Sequence, residues 1–251
     1  MDILLSFYLF VLGAVLGSFF NVVALRVPLR ESIVRPPSRC PACGARLKGR
    51  DLIPIASWLA SRGTCRHCGT RVSPLYPLGE AATGLLFAWA YATYGWRPET
   101  LIGCLLVSLC VIVTVSDIRY MLIPNRVLLV FAPILAIARL WAPHGPIWSH
   151  LLGAVVGGGL LLLVALLSKG GMGLGDVKLF ALLGGIIGLP QIPVALVAAC
   201  LAGTIVGLLL LATGRVKRKQ PIPFGPFLAF GALLAYGYGT QWIAAYVSIL
   251  S

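Results

Sequence analysis

Apolar runs of about twenty residues recur along almost the whole chain, and this pattern constrains the fold more than any other. A run of that length crosses the hydrocarbon core of a bilayer as a helix. Of the 251 residues, 59% are hydrophobic and 11% are charged, whereas about a quarter of a soluble domain is charged. The sequence therefore predicts an all-α polytopic membrane protein and excludes a large soluble domain.

We predict about eight transmembrane helices. The first has no basic residue before its apolar run and no small-x-small cleavage site, so we expect a retained helix rather than a removable signal peptide. Gly-x-x-x-Gly spacings, at Gly13/Gly17 and Gly153/Gly157, predict close approach of helix backbones. The spans are predicted at 3–25, 78–95, 100–117, 124–142, 147–167, 176–190, 192–213 and 226–249.

The positions of the basic residues predict the orientation of these spans. All 20 Lys and Arg except Arg97 and Arg139 fall in or beside the loops after spans one, three, five and seven. Because cytoplasmic loops carry the excess of Lys and Arg, we expect these loops in the cytoplasm and both termini outside. This topology, with anionic membrane lipid at the inner leaflet, also accounts for the net charge of +13.

The loop 26–77 is the one sizeable polar segment, and it holds two C-x-x-C pairs. The four cysteines are Cys40, Cys43, Cys65 and Cys68. Four thiolates at such spacing favour a closed, structural zinc site, and a cytoplasmic location disfavours two disulfides. We expect His67 to be a bystander, and Gly44 and Gly69 to take positive φ. The loop lacks interleaved aromatic side chains, so we expect no nucleic-acid partner.

Two of the seven carboxylates, Asp117 and Asp176, stand at the predicted cytoplasmic ends of spans three and six, and therefore at one depth. Carboxylates near lipid are costly and usually functional. Two that meet share a proton and can serve as general base and general acid for water attacking an amide. A second interpretation stays open, in which each aspartate caps a helix or pairs with a nearby base, Arg119 or Lys178.

Glycines precede the second aspartate in the stretch KGGMGLGDVKLF. Gly173 and Gly175 would let a backbone strand or a substrate lie close to Asp176, because a glycine has no side chain to exclude it. Together with Lys178, these two glycines are candidate substrate-binding residues.

Five segments, in this order, resemble the bacterial type IV prepilin peptidases, which are intramembrane aspartyl proteases with a Gly-x-Gly-Asp motif. They are GSFFNVVALRVP, the cysteine pairs in SRCPACG and GTCRHCGTRVSPLYPLGE, then DIRYMLIPN, GMGLGDVKL and PIPFGPFLA. The resemblance covers nearly the full chain. It departs from the family at Asn125, where many members have an aspartate after Ile-Pro.

The resemblance implies a membrane-embedded aspartic endopeptidase of the bacterial inner membrane. It would remove the basic leader of type IV prepilins or pseudopilins after a glycine, at the cytoplasmic face, with Asp117 and Asp176 as the catalytic pair. Members with the four-cysteine loop usually also methylate the new N-terminal amine with S-adenosylmethionine, and we expect this activity here, although no binding motif for that cofactor is readable. Glu80 is a candidate for binding the leader or the new amine, unless it is merely an acid at a helix N-terminus.

We expect three domains: a first transmembrane helix (1–25), a cytoplasmic zinc-binding domain (26–77) and a membrane-embedded peptidase domain (78–251). Two alternative functions stay open. The first is a peptidase without methyltransferase activity, in which the zinc domain is a scaffold. The second is a proton-coupled transporter with the aspartates as a relay, which would favour acids near the middle of the bilayer rather than at the ends of spans.

Overall fold

The computed structural model describes residues 2–143, 145–168, 171–217 and 220–250. Three of the basic residues assigned above to cytoplasmic loops, Lys169, Arg218 and Lys219, lie outside the described residues. Within the described ranges the chain forms nine α-helices, two 3-10 turns (Gly49–Asp51 and Leu189–Gln191) and no β-sheet. The helices are α1 (Asp2–Arg26), α2 (Ala56–Ala60), α3 (Leu75–Tyr94), α4 (Pro98–Tyr120), α5 (Asn125–Trp141), α6 (Ile147–Leu167), α7 (Leu174–Ile187), α8 (Ile192–Ala212) and α9 (Gly225–Leu250).

All helices except the short α2 coincide with the predicted spans to within a few residues, which confirms the all-α class. Helices α1, α4 and α6, and the segment Leu189–Ala212 that includes α8, are long and apolar enough to cross a membrane. Helix α7 has 14 residues and is about 21 Å long, shorter than the ~30 Å hydrocarbon core. It ends where Gly188 takes a φ of 87°. That all eight helices span the membrane stays a prediction.

The chain divides into two compact units, Met1–Val115 and Ser116–Ser251; the three-domain division stays a prediction. In the first unit, α1 and α3 pack antiparallel along their length. A Cβ placed on Gly13 would lie 2.8 Å from the carbonyl oxygen of Thr83, and one on Gly17 would lie 2.8 Å from Thr83 Oγ1. The predicted close approach at the first Gly-x-x-x-Gly spacing is therefore confirmed.

In the second unit, α6 packs against α7, and α8 packs against α9. A Cβ on Gly153 would collide with the backbone of Gly184, and one on Gly157 would lie 3.1 Å from the carbonyl oxygen of Phe180. These contacts confirm the second predicted Gly-x-x-x-Gly packing. They also fix the position of α7 against its neighbour, because two backbones meet where a side chain would not fit.

Arg139, one of the two basic residues on the predicted outer side, is buried at the carboxyl end of α7. Its Nε and Nη2 donate hydrogen bonds to the carbonyl oxygen of Ile186, at 3.1 and 2.7 Å. The guanidinium also lies 5.7 Å from the centre of the Tyr236 ring. A cation at a helix C-terminus satisfies carbonyls that lack partners within the helix, so packing explains this exception to the loop-charge pattern.

Candidate active site and metal centre

Asp117 lies in the last turn of α4, and its side chain is buried. Its Oδ2 accepts a hydrogen bond of 2.9 Å from the backbone amide of Gly225, the first residue of α9. A Cβ on Gly225 would stand only 2.8 Å from that oxygen, so a glycine is needed there. The amino end of a helix carries partial positive charge, and this contact therefore favours the ionised form of Asp117.

Asp176 is the third residue of α7, and its backbone amide donates to the carbonyl oxygen of Gly173 at 3.1 Å. Its side chain turns back towards the same glycine, because a Cβ on Gly173 would be 3.5 Å from Asp176 Oδ2. The other carboxyl oxygen, Oδ1, is buried and has no hydrogen-bond partner among the described residues. Because buried polar atoms are nearly always hydrogen-bonded, an oxygen left in this way can bind a proton, a water or a substrate group.

The two aspartates are carried by different helices of the second unit, Asp117 in the last turn of α4 and Asp176 in the first turn of α7. The segment that follows Asp117 runs past the glycine-rich turn: a Cβ on Gly175 would be 3.1 Å from Ile123 Cβ. The absence of a side chain at Gly175 therefore leaves room for another segment of the same chain. This is one of the two roles considered for the glycine, the other being room for a substrate. Gly173 has an extended backbone. A Cβ added there would make only ordinary van der Waals contacts, so a lack of space does not explain why this residue is a glycine.

Lys178 is exposed on α7, and its Nζ donates a hydrogen bond of 3.1 Å to Asn125 Oδ1 at the start of α5. The contact links the two segments that carry the aspartates. The Asn125 side chain carries no charge, so this contact is not an ion pair, and the Lys178 ammonium has two further N–H donors. Its predicted role in substrate binding stays a prediction.

The second interpretation of the aspartates, pairing with a neighbouring base, finds no support in the described structure. Neither Asp117 nor Asp176 forms an ion pair with a described basic residue, in contrast to Asp51, which pairs with Arg66 at 3.2 Å. Asp176 does occupy the N-terminal turn of a helix, as that interpretation also expected. Two interacting carboxylates, one bound by an amide and one with an unpartnered oxygen, can share one proton and activate a water.

The four cysteines come together in the first unit. The sulfur atoms of Cys40, Cys43, Cys65 and Cys68 all lie within 4.8 Å of one another, and none is in a disulfide. Cys40 Sγ and Cys68 Sγ are 3.8 Å apart, which matches the edge of about 3.8 Å expected for sulfurs at ~2.3 Å from a tetrahedral zinc ion. His67 is exposed and is not part of the cluster. The donor set therefore fits a structural zinc site.

The two cysteine knuckles have the same backbone geometry. In each, the glycine after the second cysteine donates its amide to the first cysteine's carbonyl oxygen at 2.9 Å, and Gly44 and Gly69 take φ values of 71° and 73°, as predicted. Hydrogen bonds from the hydroxyl and backbone amide of Thr70 lower the pKa of the Cys68 thiol to about 6. The thiolate, which is the form that binds zinc, is therefore favoured at this ligand.

Glu80 lies in the second turn of α3 and is buried. Its Oε2 accepts a hydrogen bond of 2.7 Å from the backbone amide of Ile55, in the cysteine-rich loop. One carboxyl oxygen thus already serves a structural purpose within the first unit. Whether Glu80 also binds a leader or an amine stays a prediction.

Sequence reasoning missed the two backbone partners, Gly225 and Ile55. Gly225 lies within PIPFGPFLA, one of the segments that carried the family resemblance, and the glycine there was the available signal. Nothing in the local sequence marks Ile55, which has the positive φ of 61° that is unusual for a β-branched residue.

Two family models match consecutive parts of the chain. The family model described as "Bacterial Peptidase A24 N-terminal domain" matches residues 11–94, which include all four cysteines. The model described as "Type IV leader peptidase family" matches residues 104–208, which include both aspartates. No solved structure matches the chain significantly.

Curated relatives match over most of their length. A protein of Bacillus subtilis named prepilin leader peptidase/N-methyltransferase is 42% identical over 241 residues, which cover 96% of this chain and 97% of the relative. Proteins with the same name are 40% identical in Myxococcus xanthus, covering 84% of this chain and 65% of the relative, and 32% identical in Neisseria gonorrhoeae, covering 90% and 88%.

Proposed function

The chain belongs to the type IV leader peptidase family, and we propose that it is a membrane-embedded aspartic endopeptidase that removes the leader of type IV prepilins or pseudopilins. Asp117 and Asp176 are the catalytic pair. The observation that carries the proposal is their contrast within one unit. Asp117 Oδ2 is held by the Gly225 amide, whereas Asp176 Oδ1 is buried without a partner in the part of the chain that the structure describes. Membership of a peptidase family also speaks against the transporter interpretation.

The different surroundings of the two carboxyl groups determine which of them is the base and which is the acid at the start of the reaction. The Gly225 amide at the amino end of α9 favours the charged form of Asp117, so Asp117 is the general base. Asp176 begins with the shared proton, because a protonated carboxyl turns its unpartnered oxygen into a hydrogen-bond donor. Two carboxylates that meet cannot both ionise readily, so one proton per pair is the expected resting state.

The reaction then proceeds in two steps. Asp117 takes a proton from a water whose oxygen attacks the scissile carbonyl carbon, while Asp176 gives its proton to the carbonyl oxygen. The neutral tetrahedral intermediate collapses as Asp117 passes the acquired proton to the leaving nitrogen. The carbon–nitrogen bond breaks, and Asp176 recovers a proton from the hydroxyl that becomes the new carbonyl. Each carboxyl ends in the protonation state in which it began.

The predicted topology explains the position of the cut. We infer that both aspartates face the cytoplasm at the ends of α4 and α7, with both termini outside. A prepilin carries an apolar stretch directly after its basic leader. If that stretch lies in the bilayer, the bond between leader and stretch, after a glycine, lies at the depth of the aspartates. Lys178, Gly173, Gly175 and Glu80 stay candidate substrate-binding residues.

Zinc has a structural role in this proposal. Cys40, Cys43, Cys65 and Cys68 would hold the ion in a closed tetrahedral shell, which leaves no open position for chemistry. Bound there, the ion would crosslink the two knuckles of a loop that is too short to build a large apolar core. Its role would be to organise the domain, and peptide hydrolysis is assigned to the aspartates alone.

Methylation of the new amine by S-adenosylmethionine is proposed from the relatives' names alone. A cavity of about 260 Å³ beside α8 and α9 is lined by Cys200, Gly203, Thr204, Ile222, Phe224 and Phe227. It is smaller than the ~300–1,000 Å³ typical of drug-sized ligands, and the described residues of its lining include no charged partner for the ammonium and carboxylate of the cofactor. This cavity does not fit the methyl donor, and no step is assigned to it.

The test uses purified protein in detergent, a peptide with a Lys/Arg leader, a Gly-Phe junction and an apolar tail, and S-adenosylmethionine. Products are followed by intact mass, with D176N in parallel. Cleavage by the wild type only, with one added methyl group, is the expected result. Cleavage without the methyl favours the peptidase without methyltransferase activity. Robust cleavage by D176N overturns the aspartic mechanism.

A further inference from the structure

We propose that one edge of the cysteine-rich loop, the segment 52–59, lies in the headgroup region of the membrane and binds anionic phospholipid. The proposal rests on the membrane fold and not on the peptidase function. It is carried by the depth at which this segment is held, by its strained backbone and by the side chains that it exposes.

Helix α1 sets the depth, because it is long and apolar enough to cross a membrane. It has 25 residues and is about 37 Å long, slightly more than the ~30 Å hydrocarbon core. Its carboxyl end, at Arg26, therefore lies at the boundary between acyl chains and headgroups. Asn21 stands little more than one turn before that end, and its Nδ2 donates a hydrogen bond of 2.9 Å to the carbonyl oxygen of Tyr76. The first turn of α3 is therefore held close to the same level.

A hydrogen bond ties the loop to this level. The amide of Ile55 donates to Glu80 Oε2 at 2.7 Å, and Glu80 is only 8% exposed. Helical side chains point towards the amino end of their helix, so the carboxylate reaches back from the second turn of α3 towards the first. The segment 52–59 is consequently held beside the end of the helix pair, at the depth of the membrane boundary.

The backbone at this point is strained. Ile55 has a φ of 61°, a conformation that is a genuine outlier for a β-branched residue. Such conformations persist where the surrounding contacts hold them, and they mark functional segments. Here the hydrogen bond to Glu80 holds the turn.

The side chains on the segment suit a membrane surface. Leu52, Ile53 and Leu59 are 44%, 53% and 63% exposed, although they are among the largest apolar residues of the loop. Two exposed cations, Arg50 and Arg62, flank them. Apolar side chains at the acyl boundary with cations at the headgroups are the pattern of interfacial segments that favour anionic lipid. The ligand of this segment is therefore an anionic phospholipid of the bilayer that holds the protein.

Photo-crosslinking in the full-length protein tests the proposal. A benzophenone amino acid is placed singly at Leu52, Ile53 or Leu59, and at Ala42 or His67, exposed knuckle residues, as matched controls. Each protein is reconstituted in nanodiscs of phosphatidylcholine with or without phosphatidylglycerol. After irradiation, mass spectrometry identifies adducts at each position, and a zinc content of one per chain verifies the fold.

The expected result is a phospholipid adduct at the three apolar positions, with little at the two controls. Phosphatidylglycerol should be over-represented in the adducts, and the R50Q/R62Q variant should lose that excess by about fivefold for each arginine replaced. Adducts to the chain's own helices instead of lipid would overturn the proposal, as would equal yields at the controls. Adducts without preference for phosphatidylglycerol would overturn its anionic part.

Discussion

The backbone amide of Gly225 donates a hydrogen bond of 2.9 Å to the carboxylate of Asp117, across a separation of 108 residues. The contact places the amino end of α9 directly against one member of the proposed catalytic pair. It stabilises negative charge on that carboxylate and fixes its orientation. The position also tolerates no side chain, because a Cβ would stand 2.8 Å from the bound oxygen.

We predict that G225A lowers kcat for peptide cleavage by about 10²-fold, because a displacement of a catalytic group by about 1 Å costs that much. The added methyl forces Asp117 Oδ2 away from its amide donor. The matched control is G159A, where a Cβ would meet nothing within 4 Å. Steady-state cleavage of the leader peptide measures both variants, and wild-type kcat in G225A would contradict the assigned role.

We predict that D117N and D176N each reduce cleavage by at least about 10²-fold, the contribution of one general acid or base. An amide has nearly the same shape as the carboxyl but neither accepts nor releases the proton, so the fold should be retained. Intact-mass detection of the cleaved peptide and circular dichroism measure the two properties. The thermal midpoint of each variant is compared with that of the wild type to verify the fold. Robust cleavage by either folded variant would contradict the assigned pair.

We predict that G153A lowers the thermal midpoint, because its Cβ collides with the backbone of Gly184 on α7. Replacing glycine by alanine within a helix stabilises that helix by about 1 kcal/mol, and this gain applies to both G153A and the control G159A. Only in G153A is the gain opposed by overpacking against α7, which costs ~1–3 kcal/mol. Thermal unfolding in detergent compares the pair. Equal thermal midpoints for G153A and G159A would contradict the prediction, because the added methyl group would then not disturb the packing of α6 against α7.

We predict that removing zinc, by chelation or by replacing the four cysteines with serine, harms methylation more than cleavage. The cluster lies in the first unit, whereas both aspartates lie in the second, so hydrolysis does not depend directly on the metal. Zinc content and the two product masses are measured in one sample. Equal loss of both activities would instead indicate a general folding role.

We predict that E80A destabilises the protein by about 1–3 kcal/mol, because the Ile55 amide loses its acceptor, whereas E80Q keeps an acceptor oxygen and stays close to wild type. The thermal midpoint and hydrogen exchange at Ile55 separate the two variants. The affinity for a basic leader peptide tests the charge separately. An E80Q protein with unchanged affinity and unchanged methylation would end the idea that Glu80 binds the substrate.

The local sequence was sufficient to predict the helices and the cysteine cluster. The length of an apolar run matches the thickness of the bilayer core. The bounds of the helices could therefore be predicted to within a few residues without information on how the helices pack. The paired C-x-x-C spacing brings two thiolates together within each knuckle. Even the short α7 was predicted in place, although it ends earlier than expected, at the positive φ of Gly188.

The tertiary structure alone decided which groups these residues meet. The partner of Asp117 is a backbone amide from α9, that of Glu80 is the amide of Ile55, and that of Lys178 is Asn125. Such partners are backbone groups or distant side chains, and periodicity carries no information about them. Hydropathy and motif spacing are properties of neighbouring residues, whereas a hydrogen bond between distant segments forms only after the packing of the chain has brought those segments together.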